Sequence, residues 1–312
     1  DRQALALAVA GDVARHYFRI LALREHKRIA KKRLELVQDK LETVKTRAVT
    51  GSKADLDISE RQIAVDNQQS ELAAIRRRLN QTRNALAVLL GTAPQDFTLE
   101  TPSLKTVETP KATVLPPSVL LIRRPDIRQA EARLEKAGAN IGAARAAFLP
   151  RLDLGAGLVT ASPVATPAST IGSLAASVSA PIFQAGRLEA RLDRVNARQR
   201  EIMQNYHKRV LVAYREAEDA FAAIEAADTR MARATNALDK ARATVEKAET
   251  QYELSMIAYP RVLAARTTML TARETYVDAQ LRRLSAGVAL YKAMGGGWTT
   301  LEKEQRSKGA YK

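Results

Sequence analysis

Residues 151–180 read RLDLGAGLVTASPVATPASTIGSLAASVSA, and their period differs from that of the chain on either side. Leu152, Leu154, Ala156 and Leu158 alternate with Asp153, Gly155, Gly157 and Val159. After a loop holding Pro163 and Pro167, Leu174, Ala176, Val178 and Ala180 alternate with Ser173, Ala175, Ser177 and Ser179. A period of two belongs to a strand, whose successive side chains point to opposite faces. The runs predict two strands of about nine to ten residues, each apolar on one face and small or polar on the other. That length and alternation fit a barrel wall with lipid outside and water inside. They fit equally a soluble hairpin with one buried face.

Outward from this stretch the period becomes helical. Pro181 and Gly186 close the second strand, and a helix is expected from about residue 187 to 254, roughly 100 Å at ~1.5 Å per residue. A break at residues 255–260 precedes a last helix to Met294, which Gly295, Gly296 and Gly297 terminate. On the N-terminal side, a helix from Asp126, placed to cap it, runs to about Phe148 and stops at Pro150. Before it, Pro94, Pro102, Pro110, Pro116, Pro117 and Pro125 leave no room for a long helix, so residues 92–125 read as an extended connector.

The first 91 residues predict a helical hairpin. Steps of three and four give Val13, His16, Ile20, Leu23, Lys27, Ala30, Leu34, Val37, Leu41, Val44 and Ala48, apolar at every position but His16 and Lys27. This is a coiled-coil seam, on a helix from about residue 2 to 49 that is roughly 70 Å long at ~1.5 Å per residue, too long for a compact domain. Thr50, Gly51 and Ser52 break it, and a second seam follows through Ile58, Val65, Leu72, Ile75, Leu79, Leu86 and Leu89 to Gly91. Two long helices joined by a tight turn pack antiparallel.

Sliding the chain on itself by 204 residues superposes this hairpin on the C-terminal one without a gap. Leu34 falls on Leu238, Glu42 on Glu246, Leu86 on Leu290 and Gly91 on Gly295. The plan is therefore helical hairpin, helix, β-hairpin, helical hairpin. By the logic of the repeat, an upstream helix and β-hairpin are expected to precede the first helical hairpin in the native chain.

Composition narrows the function classes. Aromatics make up 4% of the 312 residues, which suits helices packed through small side chains better than one thick core. The absence of cysteine excludes disulfides and thiolate metal sites. A net charge of +16 invites a polyanion, but the basic runs, Lys31 to Arg33 and Arg76 to Arg78, are short and carry no interleaved stacking aromatics. They read as solvated helix faces. His16, His26 and His207 show no metal spacing. No nucleophile–base constellation is recognisable, and the glycine run at 295–297 follows a helix where a phosphate loop precedes one. No apolar run reaches the ~18 residues of a membrane-spanning helix.

Four blocks carry a family resemblance. Residues 121–128, LIRRPDIR, resemble the family's "LLxRRPDIR" signature, and residues 139–150, ANIGAARAAFLP, the segment that enters its second β-hairpin. Residues 180–187, APIFQAGR, are similar to the exit from that hairpin, and residues 290–298, LYKAMGGGW, to the C-terminal end. Together they resemble the outer-membrane factors of the TolC/OprM/NodT type over essentially the whole chain. The resemblance implies a mainly α fold with a β-barrel part, in which long antiparallel coiled-coil hairpins form a periplasmic tunnel.

In that layout residues 1–91 are the first tunnel hairpin, 92–125 an equatorial connector and 126–150 a helix leading to the membrane. Residues 151–186 are a transmembrane β-hairpin, 187–295 the second tunnel hairpin and 296–312 a tail. Leu152, Leu154, Leu158, Leu174 and Val178 then face outer-membrane lipid. The family also implies a homotrimer whose protomers each give four strands to a 12-stranded barrel. Its partners are a periplasmic adaptor and an inner-membrane pump of the resistance-nodulation-division class, with neither catalysis nor a cofactor nor nucleic acid in the channel. One β-hairpin per copy gives six strands, which is why an N-terminal hairpin and lipidated N-terminus are expected beyond this sequence. The tips that abut the adaptor correspond to Thr50, Gly51, Ser52, Ser255 and Met256, and the periplasmic gate to Ile257, Tyr259, Arg261 and Ala264.

The chain departs from the family at the second tip. The family has glycine near Ser255 and acids near Ile257 and Ala264, so a ring of gate carboxylates does not carry over. Competing readings are a soluble basic coiled-coil scaffold or anion-binding helical protein, and the outer-membrane duct of a type I secretion system. The alternating β-hairpin between coiled coils is what a scaffold has no use for.

Overall fold

The computed structural model describes residues 2–47, 53–99, 104, 107, 123–161 and 169–296. Helix α1 (Arg2–Arg47) and helix α2 (Lys53–Leu89) are followed by α3 (Pro125–Ala146), strands β1 (Arg151–Ala161) and β2 (Ser169–Ser179), α4 (Arg187–Glu253) and α5 (Tyr259–Ala293). Two compact units emerge, one of the described residues in Asp1–Arg124 and Ala213–Lys312, the other of Pro125–Val212. No helix is long and apolar enough to cross a membrane among the described residues.

In the first unit, α1 is the shared helix. Its expected seam packs on α2: Ala30 clusters with Leu72 and Ile75, and Ile20 with Leu86, Ala87 and Phe97. A second stripe on α1, Leu21, Ala22, Ile29 and Leu36, packs instead against Leu263, Leu270, Val277 and Leu284 of α5. Those four α5 residues repeat every seventh position, the spacing of a coiled-coil seam. The sequence reading found one stripe on α1 where the structure has two. The second stripe's four residues stand out as a seam only beside their partners on α5, in a helix of 46 residues. Each of these leucines and isoleucines removes enough surface from water to contribute about 1.5–3 kcal/mol.

Alanine marks the remaining buried face. On α4, Ala213, Ala220, Ala227, Ala234, Ala241 and Ala248 recur at every seventh position and all are buried. On α5, Ala265, Ala272, Ala279, Ala286 and Ala293 do the same, the last three buried. In the other unit Ala130, Ala137 and Ala144 of α3 repeat the device. A strict seven-residue repeat keeps one face inward only if the helix supercoils left-handedly.

The internal repeat reappears in backbone geometry. At the end of α2, the Gly91 N–H donates to Val88 O at 3.0 Å and the Thr92 N–H to Ala87 O at 2.9 Å. At the end of α5, the Gly295 N–H donates to Lys292 O and the Gly296 N–H to Tyr291 O, both at 3.0 Å. Each is a Schellman ending, and donors and acceptors match at the same offset of 204. Gly91 and Gly295 both take the left-handed conformation this ending requires, with φ of 72° and 82°.

Arg124 joins the connector to this region. Its side chain is 8% exposed, and its guanidinium donates at 2.6 Å to Glu216 and at 3.2 Å to the carbonyl of Ala293, the last residue of α5. A helix's final carbonyls lack intrahelical partners, so a cation there supplies both a hydrogen bond and a favourable charge. Asp126 was expected to cap α3; Pro125 instead opens the helix and Asp126 lies in its first turn. Proline fits the first helical position because its missing N–H is one the helix leaves unpaired.

Candidate functional site

Strands β1 and β2 pair antiparallel in a fixed register, Leu152 with Val178, Leu154 with Ala176, Ala156 with Leu174 and Leu158 with Gly172. Because side chains alternate, Leu152, Leu154, Leu158, Leu174 and Val178 fall on one face. All five are exposed, Leu154 at 75% and Leu174 at 89%. Arg151, Asp153, Ser173, Ser177 and Ser179 share the other face, with an Arg151–Asp153 ion pair of 2.9 Å at its base. Val159 and Ile171 form an apolar pair on that otherwise polar face, which the sequence reading did not single out.

Each strand has 11 residues, more than the nine to ten expected. At ~3.4 Å per residue and a tilt of ~45°, that covers roughly 26 Å along a membrane normal, against an apolar band of ~25 Å in outer-membrane barrels. The sheet has two strands among the described residues, so each strand offers a second edge of N–H and C=O groups for pairing.

The second helical tip is built differently. Helix α4 ends in a Schellman turn, with the Ser255 N–H on Tyr252 O and the Met256 N–H on Gln251 O, both at 2.8 Å. The residue at its left-handed position is Ser255, at φ 56°. Ser255 and the neighbouring Met256 are exposed. Helix α5 starts after Ala258, with Pro260 in its first turn.

Of the expected gate residues, Arg261 and Ala264 are exposed and Ile257 and Tyr259 half-buried. The Tyr259 ring lies tilted against that of Tyr252 across the turn, with centroids 5.3 Å apart and planes at 47°, and packs against the α1–α5 core. Thr50, Gly51 and Ser52 lie outside the described residues.

Two features at this tip escaped the sequence reading. Arg266 donates from Nε and from its terminal nitrogen to one oxygen of Glu249, at 2.9 and 2.7 Å, across the turn. That hydrogen bond raises the guanidinium pKa above its ordinary value against the effect of burial. Lys40 of α1 donates to the hydroxyl of Thr267 at 3.0 Å, and burial, with Arg61 nearby, lowers the pKa of its amine. Neither contact has a signal in spacing, because each joins residues on different helices.

Among the described residues no cluster of His, Asp and Glu is arranged to hold a metal ion. A sequence model of the family described as "outer membrane efflux protein" matches residues 1–92 and 117–296. The chain is 34% identical over 300 residues to the pyoverdine export outer membrane protein OpmQ of Pseudomonas aeruginosa, covering 96% of this chain and 63% of that one. It is 32% identical over 304 residues to the cation efflux system protein CusC of Escherichia coli, covering 95% of this chain and 65% of that one. The crystal structure of the open state of the Neisseria gonorrhoeae MtrE outer membrane channel superposes with a TM-score of 0.80 at 27% identity, over 95% of this chain and 68% of that one. The chain thus spans somewhat less than two thirds of the length of OpmQ and CusC.

Proposed function

The chain belongs to the outer membrane efflux protein family, and on that premise we propose that it builds a passive exit duct in the bacterial outer membrane. The fold is that of TolC-like channels, long helical hairpins carrying a small sheet. In this reading β1 and β2 are wall strands of a barrel shared by three copies, and the helices wall a periplasmic passage. Solutes arrive from an inner-membrane pump of the resistance-nodulation-division class through a periplasmic adaptor, which docks at the helical tips. The energy comes from the pump; the duct binds no cofactor and carries out no reaction.

One observation carries the proposal: an 11-residue strand pair whose apolar face is exposed. Lipid satisfies the apolar face. It cannot satisfy the outer edges, because an unpaired backbone group in hydrocarbon costs several kcal/mol. Only a closed barrel meets both demands, so strands from elsewhere must pair with these two.

The test places arginine on each face of the wall, at Leu154 and Ser177, which lie on neighbouring rungs of the hairpin. On the lipid face an arginine costs up to about 2–4 kcal/mol, most at the membrane midplane, and on the lumen face little. Leu154→Arg should therefore leave the membrane fraction without assembled protein. Ser177→Arg should assemble and change single-channel conductance. Equal behaviour of the two variants would rule out a barrel wall with these facings.

A further inference from the structure

We propose that the base of the β-hairpin is a collar that binds anionic phospholipid, with exposed apolar side chains in the acyl region of the periplasmic leaflet and nearby arginines on its phosphates. In the exit-duct reading, on which this collar rests, β1 and β2 are a barrel wall. The apolar face of that wall is too short by itself. On the face of Leu154 the apolar rungs run from Leu152–Val178 to Leu158–Gly172, and the polar rung Thr160–Thr170 follows them toward the loop. The six-residue step from Leu152 to Leu158, at ~3.4 Å per residue and a tilt of ~45°, covers about 14 Å along the membrane normal, against an apolar band of ~25 Å.

The missing length lies at the base. Ile182 is 99% exposed, Phe183 83% and Leu149 64%, and Phe148 is exposed beside them in sequence. These four flank the hairpin on both passages of the chain, in and out, so they are not single apolar residues scattered on a surface. Along the exit, Val178, Ala180 and Ile182 carry the alternation of the lipid face past Ser179, the last residue of β2. At the same rise and tilt, the four residues from Val178 to Ile182 add about 10 Å, which brings the apolar span to roughly 24 Å.

Beyond the two phenylalanines, each passage turns basic. Arg145 stands three residues before Phe148, and Arg187 four after Phe183. Arg191 and Arg194 follow on α4, and all four arginines are exposed. At about 100° per residue the three on α4 fall within about 60° of one another, while Glu189 and Asp193 lie about 100° or more away around the helix. Arg187 donates to the Gln184 side chain at 3.1 Å; Arg145, Arg191 and Arg194 have no side-chain partner among the described residues. Arg198, next on that side, is paired with Glu201 at 2.5 Å, which keeps this run of free guanidiniums within about 11 Å of the helix start. Read away from the hairpin, both passages thus give aliphatic and aromatic side chains and then arginine, matching acyl chain, interface and phosphate. Guanidinium suits phosphate because its planar fork donates two parallel hydrogen bonds. An anionic phospholipid is preferred because no ammonium of its own competes for the phosphate.

Depth-resolved fluorescence quenching tests the collar, on the full-length protein in phosphatidylcholine vesicles with bromine at a set acyl depth. Phe183→Trp, Leu154→Trp and Leu211→Trp are compared after subtracting the emission of the unmodified protein; Leu211 is an exposed residue of α4 far from the hairpin. The probe at 183 should be quenched most by bromine near the acyl carbonyls, and at least about threefold more than the probe at 211. Brominated phosphatidylglycerol, as about a tenth of the lipid, should quench the probe at 183 about fivefold more than the same fraction of brominated phosphatidylcholine. Arg191→Gln combined with Arg194→Gln should bring that ratio close to one. Quenching at 154 but not at 183 would overturn the collar and leave the barrel wall standing. Quenching at neither position would overturn the barrel wall and the collar with it. Equal quenching at 183 by the two lipids would overturn the collar as a site for anionic phospholipid.

Discussion

Gly295→Ala tests how the end of α5 is fastened, and its cost can be worked out from two separate terms. Gly295 sits at φ 82°, where an L-residue with a Cβ costs about 1–2 kcal/mol. The new Cβ would also lie 2.9 Å from the carbonyl carbon and oxygen of Arg123 and 3.0 Å from the Arg124 nitrogen. These are backbone atoms, unable to swing aside as a side-chain end can, and overpacking of this kind adds about 1–3 kcal/mol. The expected loss is about 2–5 kcal/mol.

Gly91→Ala is the matched control. Gly91 has φ 72° in the same type of turn, with nothing within 4 Å of the position its Cβ would take. It should lose only the about 1–2 kcal/mol of backbone strain. Both substitutions restrict the unfolded chain alike, so that contribution cancels in the comparison. Urea unfolding followed by circular dichroism measures the difference. Equal losses at the two glycines would show that the Arg123–Arg124 backbone yields freely, and that the fastening described here does not hold.

Three further outcomes follow from the tips. Ser255→Gly relieves a serine at φ 56° and should stabilise the protein by up to about 1 kcal/mol in the same assay; a loss would mean the hydroxyl has a structural partner. Gly51→Trp should leave trimer and membrane insertion intact while raising drug susceptibility in a complementation assay; unchanged efflux at normal expression would remove the first tip from the adaptor contact. In the exit-duct reading, with Ile257 and Ala264 at the positions where the family resemblance puts gate acids and with Arg261 exposed, the proposed channel should resist block by divalent cations in a planar bilayer, and Arg261→Asp should restore some block. Strong block of the unmodified channel would point to other carboxylates, Asp55 or Asp57 on the first tip among them.

What the sequence disclosed followed from periodicity. Period two located both strands, and their facings followed from parity once the register paired Leu152 with Val178. Glycines and prolines marked the ends of α2, α3 and α5, because each makes a local demand on φ or on a donor. The second stripe of α1 was hidden because Leu21, Ala22, Ile29 and Leu36 become a seam only when α5 supplies its leucines. The same holds for the ion pairs of His26, a residue in which the sequence showed only the lack of metal spacing. Its carboxylate partners lie about 250 residues away, at 274 and 278, and no spacing rule reaches that far. Ser255 was named as a tip residue and as a departure from glycine; that it occupies a left-handed position is a fact of the backbone.

The alanine heptads of α4 carry a mechanical implication. An α-helix wound at its ordinary 3.6 residues per turn drifts from a seven-residue repeat by about 20° per heptad. From Ala213 to Ala248 there are five heptads, so the face presented at one end is offset from the other by about 100° relative to a straight helix. This angle is spread evenly over 35 residues, with no glycine or proline among them to act as a hinge. A slight, uniform change of winding along the helix therefore becomes a large rotation at Tyr252 and Glu253, amplified by length as in a long torsion rod.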